Sequence, residues 1–114
     1  MITEDLYQSL LRDLESAIKF ENKGEMNRSR VIARQVAGKA IRILFTQLHL
    51  DTQQSRTPYQ YLIEIQNYPD LVTPIQDEIT ALTTRVNTDF SFPANLNLVN
   101  ATQNILLFVK EFKK

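Results

Sequence analysis

The sequence carries a single histidine, His49, and no cysteine. These two facts exclude most side-chain chemistry before any fold is considered. A Ser-His-Asp triad would have to use His49, and no serine stands in a glycine-flanked nucleophile elbow. A zinc site needs several His or Cys ligands that this chain lacks. The only two glycines, Gly24 and Gly38, are isolated and cannot build a phosphate-cradling loop. A carboxylate-only site for a hard cation would be anchored by the adjacent Asp77 and Glu78. The simpler reading of that pair is a solvated face favoured by a helix N-terminus. No metal and no cofactor is expected.

What the sequence does offer is uneven charge. Arg28, Arg30, Arg34, Lys39 and Arg42 fall within one segment that contains no acid, whereas residues 51–100 hold Asp51, Glu64, Asp70, Asp77, Glu78 and Asp89 against only Arg56 and Arg85. Internal pairing between the two regions is one reading, each exposed pair contributing little. The functional reading is an anion-binding stripe for a nucleotide, an RNA or an acidic partner. Arg30 and Arg34 stand out because a helical wheel puts them near Ala37, Ile41, Phe45 and Leu48, inside the apolar arc. A guanidinium there needs a carboxylate, an aromatic face or a ligand anion. Arg30 and Arg34 are therefore the candidate partner- or anion-binding residues.

The elements that would position these groups are helical. Glycine is rare, and Pro58, Pro69, Pro74 and Pro93 all fall in or beside expected loops. Apolar spacing predicts a first helix from Glu4 to Asn22, capped by Thr3. A second runs from Arg28 to Leu48 with Asn27 as its cap. Its apolar stripe, from Ile32 to Leu48, covers well over half the circumference, so this helix is central to the domain or faces another subunit. Thr57 and Pro58 open a short third helix ending at Asn67, with Leu62 and Ile65 inside and Tyr59, Tyr61 and Tyr68 at its margins. Thr73 and Pro74 open a fourth, with Ile75, Ile79, Leu82 and Val86 as its seam. The segment from Asp89 to Pro93 places Phe90 and Phe92 to plug the end of the bundle. A fifth helix starts near Asn97. The expected fold is all-α: one domain over residues 1–114, an up-and-down bundle of four main helices and a short one.

Thirteen basic and 13 acidic side chains give zero formal net charge, against a protein held on nucleic acid by bulk charge. No apolar run approaches the roughly 18 residues needed to span a bilayer, so no membrane partner is expected. The acidic opening, with Glu4 and Asp5, lacks the basic and apolar regions of a signal peptide. A cytoplasmic location is expected, and the absence of cysteine fits a reducing compartment.

The segment Asn27-Arg28-Ser29-Arg30-Val31-Ile32-Ala33-Arg34-Gln35-Val36-Ala37-Gly38-Lys39-Ala40, following a short first helix, resembles the long second helix of HEPN-type domains. These are small bundles often encoded beside nucleotidyltransferases, and the helix number and order are similar over residues 3–112. The resemblance implies that the small-residue helix packs centrally and forms a homodimer interface, here through Ala33, Ala37, Gly38 and Ile41. Catalytic members of that family are metal-independent ribonucleases with an Arg-x(4–6)-His motif late in the domain. Here Arg42 precedes His49 at a permitted spacing, but the pair closes the second helix. Late in the chain, Arg85 is followed by Val86-Asn87-Thr88-Asp89-Phe90 and no histidine. The resemblance thus implies a non-catalytic interaction domain whose protein partner is a nucleotidyltransferase or another nucleotide-handling protein. Two other readings stand beside it: a minimal ribonuclease using Arg42 and His49, and a helical adaptor unrelated to the family.

Overall fold

The computed structural model describes residues 3–50, 52, 56–83 and 97–112. Helix α1 spans Glu4–Asn22, as the spacing predicts. Thr3 caps it, its extended backbone placing the hydroxyl to accept the Leu6 N–H at 3.1 Å. The helix buries a single stripe of Tyr7, Leu10, Leu14 and Ala17. Gly24, at φ 80°, closes it: the Gly24 N–H donates to the Glu21 carbonyl and the Glu25 N–H to the Phe20 carbonyl, a Schellman turn.

That turn passes straight into α2, Met26–Gln47, which starts ahead of the expected Arg28. Asn27 lies within the helix and does not cap it. Glu25 holds the cap position without a side-chain hydrogen bond there, and its carboxylate sits 3.6 Å from Arg28.

Helix α2 is the central element, packed against α1 and two later helices, α3 (Pro58–Glu64) and α6 (Leu98–Glu111). This accounts for the breadth of its apolar stripe. Ala33, Ala37 and Ile41 have no exposed surface, and Gly38 is buried with them. A Cβ on Gly38 would overlap the Pro58 carbonyl group and lie 2.6 Å from the Pro58 Cα. The four residues expected at a dimer interface are thus covered by the chain's own helices. The absence of a side chain at position 38 lets the start of α3 lie directly on α2.

The expected cap of α3 is present as a full capping box. Thr57 Oγ1 accepts the Gln60 N–H at 3.3 Å, and Gln60 Oε1 accepts the Thr57 N–H at 2.6 Å. A 3₁₀ turn over Ile65–Asn67 extends the helix. Tyr61, expected at the margin, is 1% exposed, and Phe45 meets both Tyr61 and Tyr68 edge-on at 5.7 and 5.4 Å.

The next segment differs from the expectation of one helix capped by Thr73. A short α4 runs over Pro69–Val72, then a 3₁₀ turn over Thr73–Ile75, then α5 over Gln76–Thr83. Pro69 starts a helix because its missing N–H costs nothing at a first helical position. Pro74 has no N–H to donate back along the chain and lies at the start of that 3₁₀ turn. Thr73 has helical backbone angles and its hydroxyl donates to the Pro69 carbonyl at 2.6 Å.

Asn97 caps α6, accepting the Asn100 N–H at 2.9 Å. The buried Thr102 hydroxyl lies 3.1 Å from the Ala33 carbonyl and 2.8 Å from that of Leu98, linking α6 to α2. Among the described residues the fold is an all-α helical bundle, and no helix is long and apolar enough to cross a membrane. Val86, Arg85 and the aromatic plug from Asp89 to Pro93 lie outside the described residues.

Candidate functional site

The α1–α2 hairpin leaves an open seam along one side. At one end a hollow of about 550 Å³ has Leu6, Leu10 and Ile43 as its apolar wall. Lys39, Arg42 and Asp13 stand at its rim. Asp13 and Lys39 also line a second hollow, which reaches Ile32. Ile32 in turn borders a third, of about 370 Å³, between Phe20, Val31 and Arg28. The shared residues make these hollows neighbours along the seam between α1 and α2, with the Asp13–Lys39 pair standing between the first two. Leu6 is 47% exposed and Val31 51%, which is high for large apolar side chains on helices that otherwise pack inward.

The charge along the seam is mixed and leans basic. Lys39 lies 4.0 Å from Asp13, both about half exposed, so the pair is weak. The Arg42 guanidinium is exposed, with no hydrogen bond or ion pair among the described residues. Arg28 stacks its guanidinium 5.4 Å from the Phe20 ring centre. Gln47 Oε1, at the end of the seam, is buried with no hydrogen-bond partner among the described residues. The seam was legible in part: Ile32 and Ile43, which widen the apolar stripe of α2, form its floor, partly buried beneath the basic rim.

The residues singled out from sequence are dispersed. Arg34 is partly buried, and its Nε donates to the Leu82 carbonyl at 2.9 Å, in the last described turn of α5. Tyr59 reaches the neighbouring Thr83 carbonyl at 3.4 Å. An apolar-arc arginine can thus be answered by a backbone acceptor as well as by a carboxylate, and this one ties α2 to α5. Burial lowers the Arg34 pKa, Tyr59 opposes that shift, and the neighbouring charge of Arg30 adds to it. The group stays cationic at neutral pH. Arg30 is partly buried one turn earlier. Of the other bases of α2, Arg28 pairs with Glu25 and Lys39 with Asp13, both in the first half of the chain.

His49 lies past the end of α2 at φ 58°, the left-handed position of a second Schellman turn. Its N–H donates to the Thr46 carbonyl at 3.1 Å, and the Leu50 N–H to that of Phe45 at 2.8 Å. The seven-residue spacing from Arg42 to His49 therefore no longer implies a shared helix face. Arg42 lines the seam, while the exposed His49 performs a chain-reversing role usually given to glycine. Asp77 and Glu78 occupy the first turn of α5, and no group of three or more potential metal-ligating His, Cys, Asp or Glu side chains occurs among the described residues.

No family model matches the sequence, and neither the curated proteins nor the solved structures include a match to it.

Proposed function

We propose that the chain is a non-catalytic, HEPN-like helical interaction domain that acts by docking a protein partner, as a homodimer. The observation that carries this reading is the open α1–α2 seam, an apolar floor rimmed by charge beside the one face of α2 that the chain's other helices leave exposed. The partner that the HEPN resemblance suggests is a nucleotidyltransferase or another nucleotide-handling protein. Self-association would have to use surface other than Ala33, Ala37, Gly38 and Ile41, which face inward. The rival ribonuclease reading is weakened by the position of His49, whose backbone role accounts for its place in the chain. The test is incubation of a structured RNA with wild type, Arg42→Ala and His49→Ala without metal, with solution mass measured on the same samples. Intact RNA in all three supports the interaction reading. Cleavage by wild type that either substitution abolishes would falsify it.

A further inference from the structure

The interaction reading leaves the occupant of the seam unspecified, and two features of the seam bear on it. The first is shape. The groove follows α1, whose 19 residues span about 28 Å at 1.5 Å per residue. Its apolar footholds recur along that length: Leu6 and Ile43 at one end, Ile32 midway, Phe20 and Val31 at the other. A helix laid in a groove is held by apolar anchors spaced in this way.

The second is charge. Arg28, Lys39 and Arg42 line the groove against Asp13, so the seam is basic while the whole chain is neutral. A two-fold pairing of two such seams would set the Arg42 end of one copy against the Arg28 end of the other, or Arg42 against Arg42. Neither arrangement offers Arg42 a carboxylate that is not already paired, since Glu25 meets Arg28 and Asp13 meets Lys39, and the second sets base directly against base, which opposes a second copy here. A nucleic-acid backbone would use the bases but leave the exposed Leu6 and Val31 uncovered.

We infer that the α1–α2 seam docks an acidic amphipathic helix of a partner protein, its carboxylates meeting Lys39 and Arg42 and its apolar stripe lying on Leu6, Leu10 and Ile43. This rests on the interaction-domain reading.

The test uses the full chain and a synthetic peptide of about 18 residues, five helical turns. Leu occupies one stripe at helical spacing and Glu the flanking positions, and a twin peptide carries Lys in place of Glu. Affinity is read by fluorescence anisotropy and location by amide chemical-shift mapping. The acidic peptide is expected to shift amides on both walls of the seam. The Lys twin should bind at least about tenfold more weakly, a difference of about 1.4 kcal/mol. Arg42→Glu, an exposed substitution whose folding circular dichroism verifies, leaves two bases against two acids along the seam and should abolish that preference. Equal affinity for the two peptides, no binding of either, or shifts confined to another face overturns the inference. So does a dimer that Leu6→Glu dissolves, which would give the seam to a second copy and leave the interaction reading standing. RNA cleavage by wild type overturns that reading whatever the peptides do.

Discussion

Replacing Gly38 by alanine sets two well-measured effects against each other. In an open helix interior, Gly→Ala gains about 1 kcal/mol from the reduced freedom of the unfolded chain and a better helix propensity. Position 38 is not open. The added Cβ would sit 2.6 Å from the Pro58 Cα and closer still to its carbonyl group, and backbone cannot swing aside as a side-chain tip can. The start of α3 must therefore move by about 1 Å to restore ordinary contact. Overpacking of this kind costs up to about 3 kcal/mol. The displacement also strains the Thr57–Gln60 box, worth about 1 kcal/mol. With the propensity gain subtracted, Gly38→Ala is expected to destabilise by about 3 kcal/mol, a large share of the roughly 5–15 kcal/mol typical of a domain. Tm should fall by roughly 12 °C at about 4 °C per kcal/mol. Urea unfolding followed by circular dichroism measures this directly, with the midpoint dropping and the slope retained. An unchanged or raised midpoint would refute the close α2–α3 contact. A change in solution mass without loss of monomer stability would return Gly38 to a subunit interface.

The other expectations need only the same unfolding assay. His49→Gly should stabilise by about 1 kcal/mol, because glycine adopts the left-handed position of the turn without a Cβ penalty; a loss of stability would mean that the imidazole makes contacts beyond its backbone role. Arg34→Met keeps most of the apolar stem but removes the donor to Leu82, and should cost about 1–2 kcal/mol, with no cost if that link is idle. Thr57→Ala should cost about 1 kcal/mol, and Thr57→Ser most of a unit less; equal effects would remove the hydroxyl from the account.

Sequence reasoning succeeded where a helix end is written in local side chains. Thr3 and Thr57, the latter with Pro58, each cap the helix that spacing assigned to them, because an N-cap hydrogen bond spans only three residues, and the helix expected to start near Asn97 does so. It missed where the end depends on backbone conformation. Asn27 has capping chemistry, but the Gly24 turn had already set the start of α2. Thr73-Pro74 repeats the pattern of Thr57-Pro58, yet Pro69 had begun a helix four residues earlier, so Thr73 arrived inside a helical path. The breadth of the α2 stripe was visible from composition, but one dimension does not separate a face covered by the same chain from one covered by another. The structure assigns Ala33, Ala37, Gly38 and Ile41 to the first kind, and it leaves Leu6 and Val31 uncovered. The role of Arg34 was half legible: the wheel placed it in apolar surroundings, but its acceptor is a carbonyl contributed by another helix, Leu82, which carries no side-chain signature.

The turn at Gly24 has a kinetic consequence. It joins α1 to α2 over only Lys23–Glu25, and it is closed by hydrogen bonds to residues at most five positions away. Loop closure between those helices is therefore fast and entropically cheap, on the order of tens of nanoseconds for such short separations. The α6 helix meets α2 across a far longer stretch of chain, as the bond from Thr102 to Ala33 illustrates. Folding should thus begin in the hairpin, with Leu10 and Leu14 ordered in the transition state and Ile105 and Val109 docking afterwards. Truncating the first pair would slow folding, and truncating the second would chiefly speed unfolding. During synthesis the hairpin, with its basic seam, would take shape before the chain that covers the opposite side of α2 has been made.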